Sequence, residues 1–139
     1  MHSTETLDSR LQRARELRTR GYNCAQAVAM AFEDVSGISA DSMAQCCMAL
    51  GSGAACGEIC GAALGMGIIT GYRFDHDPAN KISAAKASRS LISKFADLHN
   101  GRIRCADLKG QPGSPSCDQL VMTAVEILHN DITGFDSSR

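Results

Sequence analysis

Residues 56–65, CGEICGAALG, set two thiols four positions apart among glycines and alanines. A segment stripped of side chains lets something approach its backbone closely, either another helix or a bound group. The continuation GMGIIT gives the segment a helix-like length, and Gly61 and Gly65 fall four apart. One face of that helix is therefore nearly bare, and a second helix can cross it at short distance. Gly67 and Gly71 carry the pattern toward its end.

The rest of the chain agrees with close-packed helices. It has 139 residues, 44% of them hydrophobic but only 4% aromatic, with no Trp. A core for one domain, spanning 1–139 with its body at about 7–130, must then come from Leu, Ile, Val, Met and Ala. The expectation is an all-α bundle of about five helices, and no strand is indicated. Leu7, Leu11, Ala14 and Leu17 give one apolar face to a helix ending near Arg20. Asn23 caps the run CAQAVAMAF, and Gly37 marks a turn. Ser39 or Asp41 caps SMAQCCMAL, and GSGAACG is a glycine-rich connection. A loop, YRFDHD, leads to Asp77-Pro78, a cap followed by a proline whose missing N–H costs nothing there. The helix beyond carries Ile82, Ala85, Leu91, Ile92, Phe95 and Leu98 on one side, and Asn100-Gly101 ends it. RIRCADLKG forms a short turn. QPGSPS is a loop, Ser116 caps the last helix over CDQLVMTAVEIL, and the tail DITGFDSSR is at best partly ordered.

Charge and hydropathy exclude several functions. The formal net charge is −1, so there is no basic field for nucleic acid. Arg10, Arg13, Arg15, Arg18 and Arg20 read as a solvated helix face. No leader is visible, and no run reaches about 18 apolar residues, so no membrane span and a cytoplasmic location are expected.

Seven cysteines then stand out: Cys24, Cys46, Cys47, Cys56, Cys60, Cys105 and Cys117. In a cytoplasmic chain such a number points to metal binding or thiol chemistry, and an odd count argues against a pure disulfide framework. Cys24 follows the cap Asn23, Cys117 follows Ser116, and Cys60 falls in the first turn of a helix beginning near Gly57-Glu58. At helix N-termini the free N–H groups favour a thiolate, so these thiols are expected to have lowered pKa values. Arg102, Arg104 and Lys109 act the same way on Cys105. For Cys46 and Cys47 packing is the expected role, because adjacent helical residues point about 100° apart. Cys56 could share a helix face with Cys60. The spacings match no zinc finger, ferredoxin or covalent haem site. His2, His76, His99 and His129 are isolated, and surface or capping roles are expected of each; Met30, Met43, Met48 and Met66 are assigned to the core.

GYNCAQAVAMAF, then GEICGAALG, then Cys105 and Cys117, resemble the C_GCAxxG_C_C family of redox proteins. Its signature is a first cysteine, a CGAxxG motif and two later cysteines; here the motif runs Cys60-Gly61-Ala62-Ala63-Leu64-Gly65. The resemblance covers about Gly21 to Leu128 and implies that Cys24, Cys60, Cys105 and Cys117 are the functional set. A related cysteine domain occurs in split-Soret cytochromes, for which an iron–sulfur centre is proposed. The expectation is therefore that these four thiols, with Cys56 as a candidate fifth, hold an iron–sulfur cluster for electron transfer or redox sensing. The alternatives are cofactor-free thiol–disulfide chemistry and a structural zinc site. A redox partner protein is implied, and an exposed glycine face could pair two copies in a homodimer.

Overall fold

The computed structural model describes residues 5–109 and 112–134. Met1–Thr4, Gly110, Gln111 and residues 135–139 lie outside them, and with them His2, the first residue of the QPGSPS loop and the end of the expected tail. The order is α1 (Leu7–Thr19), α2 (Cys24–Met30), α3 (Glu33–Ser36), α4 (Ala40–Cys46), α5 (Gly61–Gly71), α6 (Lys81–Asp97), α7 (Cys105–Leu108) and α8 (Cys117–Thr133). The described residues contain no strand; one isolated antiparallel bridge joins Ile59 to Arg104. The fold is all-α, and six of these helices have seven residues or more. Among the described residues no helix is long and apolar enough to cross a membrane.

The predicted caps form. Asn23 accepts from the Gln26 N–H and Ser116 from the Gln119 N–H, and in each case the glutamine reaches back to the cap's own N–H. These are reciprocal capping boxes of the kind that satisfy otherwise orphaned donors. Ser39 caps α4. Asp77 accepts from the Ala79 N–H and opens a 3₁₀ turn, Pro78–Asn80, that leads into α6. Gly37, Asn100 and Gly101 take the positive φ that terminates helices. Two boundaries move. α5 begins at Gly61 with Cys60 as its cap, not near Gly57-Glu58. α8 runs five residues past Leu128, so Asp131–Thr133 of the expected tail are helical.

All seven residues of α2 are buried, making it the central helix. It lies against the bare face of α5. A Cβ added at Gly65 would stand 2.8 Å from the Val28 Cβ, and one at Gly61 would stand 3.1 Å from the Leu50 carbonyl oxygen and 3.3 Å from the Cys24 Cβ. The small-residue face therefore receives a helix. At Gly61 and Gly65 it is not exposed. α8 lines the other side of the core with Leu120, Val121, Ala124, Val125 and Leu128, as their spacing predicts.

Several sequence expectations fail, each through tertiary contact. Arg10 is not on a solvated face. Its guanidinium is fully buried, paired with Asp34 through two 2.7 Å contacts, and it donates to the Ala31 carbonyl at 2.9 Å and to His129 Nδ1 at 3.0 Å. It also lies 4.2 Å from the Phe32 ring centroid. His129 is buried here instead of serving at the surface. On α6 only Leu91 and Phe95 are buried, while Ile82 and Leu98 are 66% exposed at the two ends. Met48 is exposed, whereas Met30, Met43 and Met66 are in the core as expected.

Candidate redox site

Four helix starts carry the four cysteines. Cys24, Cys105 and Cys117 are the first residues of α2, α7 and α8, and Cys60 is the cap of α5. Two of these starts are joined directly. The Ile59–Arg104 bridge places the Cys60 N–H on the Ile103 carbonyl and the Cys105 N–H on the Glu58 carbonyl, each at 2.7 Å. The Arg104 guanidinium straddles the Glu58 carboxylate at 3.1 and 3.2 Å on the same link. Upstream, Ser52 to Ala55 all have φ between 54° and 63°. This left-handed turn is disfavoured for L-residues. At Gly53 any Cβ would strike the Glu58 backbone at 2.4 Å, so the turn needs glycine there.

The thiols fall into pairs. Cys24 lies beside Cys117, and Cys60 is near Cys105 and also feels Cys117. Cys24 and Cys60 are buried, at 8% and 2% exposure, whereas Cys117 and Cys105 are partly exposed. Each pair thus has one partly exposed and one buried cysteine.

Two cations face the first pair. The Lys109 ammonium hydrogen-bonds Cys117, which raises its pKa, and it also feels Cys105 and Cys24. Burial works against the Arg18 charge, but its 2.7 Å hydrogen bond to Asp118 and the nearby Cys24 and Cys117 sulfurs leave its pKa raised. The influence of Lys109 on Cys105 was legible in sequence, but its contact with Cys117 was not, nor was the part of Arg18, which is nearly a hundred positions from Cys117.

The expected lowering of thiol pKa at the helix ends does not occur at the buried members. Burial, and then the Cys117 sulfur, push Cys24 up to about 12. Burial also raises Cys60, although the N–H groups of Ala63 and Ala62 at the start of α5 pull in the expected direction. Loss of hydration outweighs the helix end here.

The remaining cysteines lie elsewhere. Cys56 is exposed in the turn Gly53–Gly57, outside the helix that Cys60 caps, so the shared helix face is absent. Cys46 is exposed and Cys47 buried at the end of α4. His76 lies exposed in its loop, and the His99 ring lies tilted against Phe95 with ring centroids 4.5 Å apart. Among the described residues no three His, Cys, Asp or Glu side chains are grouped closely enough to hold a metal ion.

Comparison with curated proteins and with solved structures gives no match. A family profile does match, over residues 22–130, and that span includes all four cysteines and the helix starts that carry them. The chain belongs to the family described as "Putative redox-active protein (C_GCAxxG_C_C)".

Proposed function

We propose that this protein is a thiol–disulfide redox protein whose working pair is Cys117 and Cys24, with Cys105 and Cys60 as a second pair beside it. The observation that carries this reading is the contact between a partly exposed Cys117 and a buried Cys24, with the Lys109 ammonium on Cys117. The Cys117 thiolate attacks one sulfur of a partner's disulfide; that S–S bond breaks, a mixed disulfide forms, and the first partner sulfur leaves as a thiolate. Cys24 passes its proton to that departing thiolate and attacks the Cys117 sulfur, and the second partner thiol is released. Two protein thiols have become one disulfide, and the partner's disulfide has become two thiols. Lys109 and Arg18 set two cations beside the Cys117 sulfur. The high pKa of Cys24 keeps it protonated until the attack.

A second reading, an iron–sulfur cluster held by Cys24, Cys60, Cys105 and Cys117, is favoured by one observation: all four thiols sit at helix starts, and at Cys60 the Ala62 and Ala63 N–H groups point toward the sulfur. The donor chemistry fits a cluster, which would supply one-electron transfer. The glycine–alanine face gives this reading no support, because α2 fills it. The lack of a grouping of three ligands among the described residues weighs equally on zinc and on a cluster.

One experiment separates these readings. Protein purified without oxygen is assayed for iron, zinc, acid-labile sulfide and visible absorption, then titrated in a redox buffer with trapping of free thiols. The dithiol reading expects colourless protein and a Cys24–Cys117 disulfide on the oxidised side. Stoichiometric iron and sulfide with absorption near about 400 nm, lost in Cys60→Ser, would replace it with the cluster.

A further inference from the structure

Cys46 and Cys47 lie outside the four-thiol site, but a short chain of hydrogen bonds leads from them to it. Cys46, the last residue of α4, is exposed. Cys47 caps that helix, is fully buried, and has its thiol within hydrogen-bonding reach of Cys46. The division into an open and a covered sulfur is the one seen at Cys117 and Cys24. The carbonyls that end α4 are held by two amide side chains. Asn23 Nδ2 donates to the Cys47 and Met48 oxygens at 3.2 and 3.1 Å, and Gln26 Nε2 donates to the Ala44 oxygen at 2.7 Å. The same two residues form the capping box that starts α2 at Cys24, with the Gln26 N–H on Asn23 Oδ1 at 2.8 Å and the Asn23 N–H on Gln26 Oε1 at 2.9 Å. The end of α4 and the start of α2 therefore share both amides.

We propose that Cys46 and Cys47 are a second redox site, which is oxidised by low-molecular-weight disulfides and whose state sets how firmly α2 is capped at Cys24. The Cys46 thiolate attacks one sulfur of the small disulfide, whose S–S bond breaks, and one small thiolate leaves and takes a proton. Cys47 then gives up its proton and attacks the Cys46 sulfur, releasing the second small thiol. Two protein thiols become one disulfide, and one small disulfide becomes two thiols. Burial, and then Cys46, push Cys47 up to about 11, so its proton stays until that second step.

The geometry makes this bond a switch. Consecutive Cα atoms are about 3.8 Å apart across a trans peptide, whereas disulfides usually span about 4.4–6.8 Å. Closing the ring therefore distorts the 46–47 peptide, and a strained disulfide of this kind is readily reversed. That peptide carries the Cys47 N–H, so the distortion breaks its 3.0 Å bond to the Met43 oxygen and unwinds the end of α4, where the Cys47 carbonyl of the next peptide accepts from Asn23. Asn23 then loses an anchor, and the cap at Cys24 loosens. Only this last consequence rests on the redox reading of the four-cysteine site; the 46–47 disulfide does not.

The test uses the full-length Cys117→Ser protein, in which Cys24 has no Cys117 thiol to pair with. It is equilibrated with mixtures of reduced and oxidised glutathione, quenched, alkylated after unfolding and digested, and α2 amide exchange is followed by mass spectrometry on the same samples. The expected result is a 46–47 peptide lighter by two hydrogens and resistant to alkylation. Exchange in the first turn of α2 should also be about fivefold faster or more, comparable to losing one cap. Asn23→Ser, which keeps a capping oxygen but has no amide to donate, should form the disulfide without the further change in exchange. Free thiols at both positions in every mixture, or glutathione remaining on Cys46, would overturn the site. A 46–47 disulfide with unchanged α2 exchange would overturn the coupling. The Cys24–Cys117 disulfide is read separately in the unaltered chain, so either reading can fail alone.

Discussion

In the proposed thiol exchange Cys117 reacts first, because it is the partly exposed member of its pair and lies beside the Lys109 ammonium. Lys109→Met removes that cation and should slow the reaction of Cys117 with electrophiles and disulfides. The check is the rate of Cys117 alkylation by iodoacetamide at fixed pH, which should fall severalfold while the fold, followed by circular dichroism, stays unchanged. Arg10 is the other residue whose role depends on the tertiary contacts. Arg10→Met leaves the Ala31 carbonyl, Asp34 and His129 without the guanidinium that joins three helices and the α2–α3 junction. Removing one partner of a buried pair costs about 3 kcal/mol or more, readable as a lower urea midpoint with little change in slope. A loss below about 1 kcal/mol would show that Arg10 is better placed in water than its burial implies.

At the scale of the element, the glycines of α5 are not equivalent. Gly65→Ala puts a Cβ 2.8 Å from the Val28 Cβ of a fully buried helix, while at Gly67 the nearest contact is the Ser88 Oγ at 3.3 Å. Overpacking costs about 1–3 kcal/mol, so Gly65→Ala should lower the unfolding midpoint. At Gly67 the gain in helix propensity, about 1 kcal/mol, should offset any small shift of the serine. The paired midpoints, measured by thermal or urea unfolding, test whether close approach of α2 is what the bare face serves. Equal effects at both sites would mean that it is not.

For the whole molecule, stability against pH should form a plateau bounded by two buried groups. Burial, and then Arg10, lower the His129 pKa from 6.5. The folded state thus binds its proton less readily than the unfolded chain does, and stability is lost as pH falls below about 6.5 through the depressed value. Cys24 has the opposite sign: its pKa is raised from 9.0 to about 12, so its contribution is complete below 9.0 and disappears as pH rises from there toward 12. Urea midpoints between pH 5 and 10 should fall at both ends; His129→Gln should flatten the acid side, and Cys24→Ala should lessen the alkaline fall, to which the raised Cys47 and Cys60 also contribute.

The elements themselves were readable because their signals are local. Asn23, Ser39, Asp77 and Ser116 bond to backbone N–H groups two or three positions away, so a cap is complete within one turn of chain. The spacing of Leu120, Val121, Ala124, Val125 and Leu128 likewise placed the buried face of α8. The order of the four cysteines carried the family resemblance, and with it the candidate set. What occupies the bare face of α5, which thiol meets which, and why Arg10 and His129 lie inside depended on contacts between residues up to 119 positions apart. Burial reversed the expected pKa shifts of Cys24 and Cys60, because desolvation is set by the surrounding chain while the helix end acts only on its own first turn.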